Sequence, residues 1–454
     1  MTQRNRIEAG GRIDRSHRLE FRFDGRSLTG YRGDTLASAL LANGVHLVAR
    51  SFKYHRPRGV LGIGAEEPNA LVQVAHGAQS EPNVRATQLM LYEGLEASSQ
   101  NRWPSLAVDL GGLADLASSW MPAGFYYKTF MWPTNLWPFY ERAIRRMAGL
   151  GRAPGAADPD NYDHMHAHCD VLVVGAGAAG LAAALSAARR GARVILADEQ
   201  AQAGGQLLGE RYEIGGRSAL AWVSGAMAEL RAMSEVRVLL RTTITGHYDH
   251  GYLIGCQVFR EPGQSDPVGA PRQRLWKIRA RRTVIAAGSI ERPLVFPDND
   301  RPGIMLAFAV RAYCNRYGVR AGSRVAVVTA CDDAYRTALD LAAAGIAIAA
   351  VVDLRASGSG HMPRQVRARG IEVLSGQRIV GVRGRMRVEA LRTQSSAGGT
   401  IREIACDLVA MSAGWIPSVH LFSQARGALQ FDERLGVFVP LDRLENVVCV
   451  GAAR

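Results

Sequence analysis

The stretch "VLVVGAGAAGLAAA" places three glycines where a peptide backbone can hold a pyrophosphate. Gly175, Gly177 and Gly180 follow the apolar run Val171–Val174 with G-x-G-x-x-G spacing. Each position has its own task. Gly175 makes the tight turn, Gly177 lets backbone N–H groups come close to phosphate, and Gly180 lets the following helix pack on the strand. Ala176 lies inside the turn. The first turn of that helix carries unsatisfied N–H groups and the positive dipole end, both favourable to an anion. A second apolar run, "ARVILAD", ends at Asp198 with Glu199 beside it. A carboxylate about 20 residues past the first glycine is placed to bind ribose. Strand, glycine turn, helix, strand and acid together specify a dinucleotide site far better than the glycines alone.

Further segments add to it. "AGGQLL" supplies Gly205 and Gln206, which resemble the second phosphate-side contact of two-dinucleotide flavoproteins. "RRTVIAAGSIERPL" puts Ala287 and Gly288 where that superfamily has its "ATG"-like strand end. "LENVVCVGAAR" reads as a last strand returning to the first, with Gly451 near the pyrophosphate. An acid rather than an arginine at the ribose end disfavours a 2′-phosphate. The residues alone therefore allow FAD or NAD, not NADP. "GSRVAVVTACDDAYRTALDLAAAGIAIAAVVDLR" repeats the strand–helix–strand pattern, yet Thr329, Cys331 and Ala334 fill the glycine positions. Asp332 and Asp333 at the helix start complement its dipole themselves and would repel a pyrophosphate. This second unit is expected to keep the fold without a nucleotide, and Cys331 is read as inert.

Upstream, "HRLEFRFDGRSLTGYRGDTLASALLANG" alternates Leu19, Phe21 and Phe23 on one face and turns at Asp24–Gly25. It then offers Asp34 as a helix cap and Gly44 as a helix stop. Strand, hairpin, strand and helix open a β-grasp domain of the ferredoxin type. The loop "RSFKYHRPRGVLGIGAEEPNALVQV" follows. Plant-type clusters need C-x4-C-x2-C and a distant fourth cysteine. Those slots fall on Gly62, Glu67 and Ala70, and no cysteine precedes Cys169. The loop is therefore expected to hold no iron. Its basic half, Lys53 to Arg58, either lines an interface, contacts an anion, or is plain solvated loop.

Six scattered cysteines without a C-x-x-C pair argue for a reducing compartment and against dithiol chemistry. The formal net charge of +14 comes with no nucleic-acid-binding motif, so it points to acidic partners or small anions instead. No run approaches the ~18–20 apolar residues of a membrane span. The arginine-rich N-terminus is expected to be a flexible arm. An irregular aromatic connector, with Met121, Met131 and most tryptophans, suits an interdomain strap or a partner surface. "HMHAHC" aligns His164, His166 and His168 on one side of a strand, but no second ligand group accompanies them. The expected fold class is α/β. The segments are a cluster-free β-grasp domain at 1–96, the connector at 97–166, a dinucleotide-binding Rossmann domain at 167–300 and 420–454, and a second Rossmann-like domain at 301–419. The lack of a helix after "LENVVCVGAAR" leads to the expectation of a truncated polypeptide or a fragment.

"RSFKYHRPRGVLGIGAEEPNALV", "PNVRATQLMLYEGLEASSQNRWPSL", "MPAGFYYKTFMWP" and "AHCDVLVVGAGAAGLAAA" together resemble the N-terminal half of the alpha subunit of heterotetrameric sarcosine oxidase. That resemblance implies NAD in the glycine site, used structurally. It implies a beta subunit that oxidises the amine at FAD, FMN at the alpha–beta interface, and smaller gamma and delta subunits in the cytoplasm. The family's C-terminal folate-binding domain has no counterpart here, and no catalytic residue carries over. Two other readings compete. One is an alpha chain of an opine, proline or cyanide-forming glycine dehydrogenase, against which the missing N-terminal cysteines count. The other is a non-catalytic binding module.

Overall fold

The computed structural model describes residues 3–113, 132–151, 153–264, 269–358, 360–441 and 444–454. Residues 114–131, on which much of the aromatic-connector expectation rests, lie outside that set. The chain forms two compact units. One contains Met1–Pro159, Pro262–Gln264 and Pro293–Ala413, the other Asp160–Glu261, Ser265–Arg292 and Gly414–Arg454. No helix among the described residues is long and apolar enough to cross a membrane.

In the first unit the strands Asp14–Phe23 and Arg26–Arg32 pair antiparallel. Asp24 and Gly25 both have positive φ, as a two-residue hairpin turn of matching twist requires. Leu95–Ser99, Leu71–Val74 and Glu81–Arg85 complete a five-stranded sheet, and the helix Leu36–Ala42 is buried along its whole length. Its cap differs from expectation. Thr35 caps the helix in a reciprocal pair with Ser38, which satisfies two orphan N-terminal donors at once. Asp34 instead accepts from Arg6 at 2.6 Å, Ser38 Oγ at 2.7 Å and Tyr31 N at 3.0 Å. The expected flexible arm is docked by the same contacts: Arg6 is nearly buried, and Ile7 N bonds Gly318 O at 2.8 Å.

The same unit holds a parallel sheet in the order Ile304–Leu306, Leu408–Ser412, Arg324–Thr329, Ala347–Asp353 and Val373–Leu374. One hydrophobic core runs from Phe21, Leu36 and Leu95 through Tyr313 and Val325 to Leu408, so the β-grasp segment and this sheet share their interior. The basic loop half is partly buried and ion-paired within this unit. Arg56 and Arg58 pair with Asp300, Arg56 also with Asp298, and His55 contacts the fully buried Asp109 at 2.7 Å.

The second unit is built on the 13-residue strand Tyr162–Val174, paired parallel with Val194–Ala197 on one side and Gln273–Ile285 on the other. Val236–Leu239 extends the sheet outward, and Tyr252–Val258 with Thr242–Tyr248 closes its far edge antiparallel. The returning strand Val447–Cys449 runs parallel to Thr283–Ile285. Period-two alternation buries Ala167 and Cys169 and leaves His164, His166 and His168 exposed. Among the described residues, no group of histidine, cysteine or carboxylate side chains is arranged to hold a metal.

Candidate dinucleotide site

The turn after Val174 is fixed by backbone. Gly175 N bonds Ala197 O at 2.8 Å, and Ala286 N bonds Val174 O at 2.8 Å. Gly175 has φ +101, and a Cβ there would lie 2.3 Å from Ala286 O. No other residue type fits that turn. The helix Ala178–Ala188 starts immediately after it, and a Cβ on Gly180 would lie 1.8 Å from Gly175 O. Gly180 therefore sets the distance of closest approach between helix and strand.

Gly177 differs from both. Its φ is −71 and ψ −175, which any residue adopts, and the nearest atom to a Cβ there is Gly205 Cα at 4.0 Å. Nothing within the protein demands a glycine at this place. What a Cβ would fill is the space before the helix N-terminus, where no side chain caps the helix and no acid stands in its first turn. Gly204 N bonds Ala176 O at 2.8 Å, which holds the Gly204–Gln206 loop against the turn, with Gly205 at φ +53. Gln206 Nε2 reaches Ser289 O at 3.4 Å, next to Ala287 and Gly288. Gly451 closes the far side, since a Cβ on it would lie 2.7 Å from Ala179 Cβ. Gly175, Ala176, Gly177, Gly180, Gly205 and Gly451 thus gather around one helix terminus, with Gln206, Ala287 and Gly288 on the adjoining loops. Bare backbone at an uncapped helix N-terminus is favourable to an anion such as a pyrophosphate.

The two acids part company. Asp198 is buried, and its carboxylate accepts from Ala176 N at 2.6 Å and Gln200 N at 2.8 Å. It braces the turn from behind. Glu199 is exposed beside it.

At the equivalent place in the other unit, Thr329 Oγ1 accepts from Cys331 N at 2.9 Å and donates to Cys331 O at 2.6 Å. Asp353 ends the strand Ala347–Asp353 just as Asp198 follows Val194–Ala197, and it is fully buried. Tyr335 donates to it at 2.7 Å, and Arg355 bridges Asp353 at 2.8 Å and Asp332 at 2.7 Å. Burial first, then the bond to Asp353, raises the Tyr335 pKa. Asp333 pairs with Arg311 at 3.1 Å. Both carboxylates of this helix start thus have arginine partners, Asp332 with Arg355 and Asp333 with Arg311, and Thr329 closes the turn on Cys331. Asp353, Tyr335 and Arg355 escaped sequence reasoning, although an acid ending the second apolar run was a visible signal.

Residues 169–440 match the family described as pyridine nucleotide-disulphide oxidoreductase, and residues 16–102 match a 2Fe-2S iron-sulfur cluster binding domain. The first match spans more than half of the chain, and the chain belongs to that oxidoreductase family. Within it, the resemblance to sarcosine oxidase alpha subunits holds. The alpha subunit from Rhizobium meliloti (strain 1021) is 48% identical over 455 residues, covering 99% of this chain and 45% of that protein. The one from Corynebacterium sp. (strain P-1) is 40% identical over 450 residues, covering 97% and 42%. The chain thus spans less than half the length of these curated relatives. The crystal structure of L-proline dehydrogenase from P. horikoshii shares the fold at TM-score 0.64 and 19% identity, over 100% of this chain and 71% of that one. The expected fold class, a β-grasp domain followed by a dinucleotide-binding module, stands.

Proposed function

We propose that this chain is the dinucleotide-binding part of the alpha subunit of a sarcosine oxidase-like complex and that it holds one NAD at the Gly175–Gly180 turn. The observation that carries the reading is the bare backbone before the helix Ala178–Ala188: a Cβ at Gly177 meets no protein atom closer than 4.0 Å and no side chain caps that helix, whereas the second turn closes on itself through Thr329 and Cys331. The chain's likeness to sarcosine oxidase alpha subunits is what the rest of the reading is drawn from: NAD rather than FAD, and assembly with beta, gamma and delta subunits in the cytoplasm. In that reading amine oxidation and reduction of oxygen to peroxide proceed at flavins of the complex, with FMN where alpha meets beta. NAD bound here supplies structural contacts rather than hydride. Gly177 and Gly205 offer backbone to its pyrophosphate, Ala176 holds the turn through Asp198 and Gly204, and Glu199 or Asp198 meets the ribose. The second turn holds no nucleotide.

Mass spectrometry of the ligand released from denatured protein tests this. One equivalent of NAD is expected, and sarcosine oxidation only when the beta subunit is present. Released FAD would move the assignment to the amine and opine dehydrogenases. Turnover by the chain alone would overturn the subunit reading.

A further inference from the structure

The loop that lacks cluster cysteines is not an empty relic. Glu67 stands at the second of the three cysteine slots, and its side chain is 1% exposed. Oε2 accepts from Leu61 N and Gly62 N, both at 2.7 Å. Oε1 accepts from Asn69 N at 2.7 Å and Ala70 N at 2.9 Å. Gly62 and Ala70 are the other two slots of the loop, so the carboxylate at the second slot takes the amides of the first and third. Glu66 Oε1 takes the two remaining amides of the turn, Ile63 N at 2.6 Å and Gly64 N at 3.0 Å. Six amides of one loop therefore converge on two carboxylates. Such convergent N–H groups are the backbone part of anion and iron–sulfur sites generally. Among the described residues, no lysine, arginine or histidine forms an ion pair with Glu67. Burial raises its pKa, and the amides of Gly62, Ala70, Asn69 and Leu61 offset that rise only in part.

We infer that residues 61–70 form an anion-binding cradle whose resident ligand is the chain's own Glu67 carboxylate, seated where a metal cluster would otherwise carry the negative charge. Emptied of that side chain, the cradle binds a free small monocarboxylate. Nearby contacts depend on the same loop: Tyr313 donates to Gly62 O at 3.1 Å, Thr87 to Gly64 O at 2.8 Å, and Leu306 N to Leu61 O at 2.9 Å. The cradle thus ties the β-grasp segment to the helix Ala307–Tyr317 of the shared core.

The test is chemical rescue in the full chain. Glu67→Ala lowers the melting temperature by on the order of 5–10 °C, since four charge-assisted bonds are lost. Sodium formate then restores roughly half of the loss in a saturable way, while equal sodium chloride or neutral formamide does not, and wild type does not respond. Undiminished stability in Glu67→Ala, or a response equal for formate and chloride, overturns the inference. Amide exchange in wild type and Glu67→Gln decides the matter even if Glu67→Ala fails to fold. The amides of 61, 62, 69 and 70 are expected to be protected in wild type, and one pair to lose protection where it faces the new NH2 group. Fast exchange at all four in wild type, or full protection in Glu67→Gln, sinks it.

Discussion

Replacing Gly177 by alanine separates the ligand's demands from the protein's. The backbone at 177 is already in a region open to alanine, and the new methyl meets no protein atom closer than 4.0 Å. Alanine is a poorer N-cap than glycine, which sets a stability cost below about 1 kcal/mol. The methyl projects into the mouth of the helix terminus, where a pyrophosphate must lie within hydrogen-bond reach of the amides. Losing or lengthening two charge-assisted bonds there costs about 3 kcal/mol, on the order of 100-fold in affinity. The assay is ligand content after extensive dialysis, with urea unfolding of both ligand-free proteins measured in parallel, because bound coenzyme would itself raise apparent stability. Gly180→Ala serves as the contrast. Its methyl would lie 1.8 Å from Gly175 O, so the ligand-free protein should itself lose about 1–3 kcal/mol through overpacking. Full dinucleotide content in Gly177→Ala would refute the siting of the pyrophosphate. A large loss of ligand-free stability would refute the claim that nothing in the fold needs this glycine.

Three further outcomes are expected. His46 is held neutral down to about 3, chiefly by burial and then by the Arg387 charge. A base with a depressed folded pKa contributes stability that is complete above about 6.5 and is lost as pH falls, by up to about 1.4 kcal/mol per unit. His46→Gln should flatten urea-unfolding stability between pH 6.5 and 3, and an unchanged slope would rule this source out. Burial pushes the thiol of Cys169 up to about 12 and those of Cys406 and Cys449 up to about 11. Iodoacetamide at pH 8 should leave these three unmodified in native protein and label them in urea, read by peptide mass spectrometry. Arg355→Ala removes the partner of the fully buried Asp353, with Tyr335 left behind. Because Arg355 is itself 38% exposed, the cost should be about 2 kcal/mol, short of the ~3–5 kcal/mol of a fully buried pair, measured by urea denaturation.

The turn between Val174 and the helix Ala178–Ala188 was legible because two of its glycines are backbone requirements. Gly175 and Gly180 have no substitute once a turn and a helix–strand approach are fixed, so spacing alone reveals them. The β-grasp hairpin was legible for a similar reason, through the alternation of Phe21 and Phe23 and the turn at Asp24–Gly25. Side-chain partnerships were not legible. Nothing local says that Asp34 leaves the cap to Thr35 and turns to Arg6, or that Arg56 and Arg58 meet Asp300 across more than 240 positions of chain. Long-range ion pairs have no periodicity, and the aromatic content of the connector carried none either. The three cysteine slots gave the position of Glu67, but only geometry could show its carboxylate at the centre of the loop.

The two strand–turn–helix units of this chain show that an acid at the end of the second strand does not by itself define a nucleotide site. Asp198 and Asp353 hold the same place in their sheets, and both are buried. The difference lies in what shares the turn. Around Asp198 the partners are backbone amides, and the helix start stays free of side chains. Around Asp353 the partners include the Tyr335 hydroxyl and the Arg355 guanidinium besides the Arg355 amide, and Thr329 closes the turn on Cys331. A glycine turn leaves donors waiting for an anion, so the unit keeps unsatisfied groups that a ligand must complete. A turn with side chains satisfies its own groups and gains nothing from one. The cluster-type loop follows the second logic with a different residue: its amides are also satisfied from within, by Glu67 and Glu66. Among the described residues, the helix start after Gly177 differs from both: no side chain caps it and no acid stands in its first turn, which is the feature the proposed coenzyme would use.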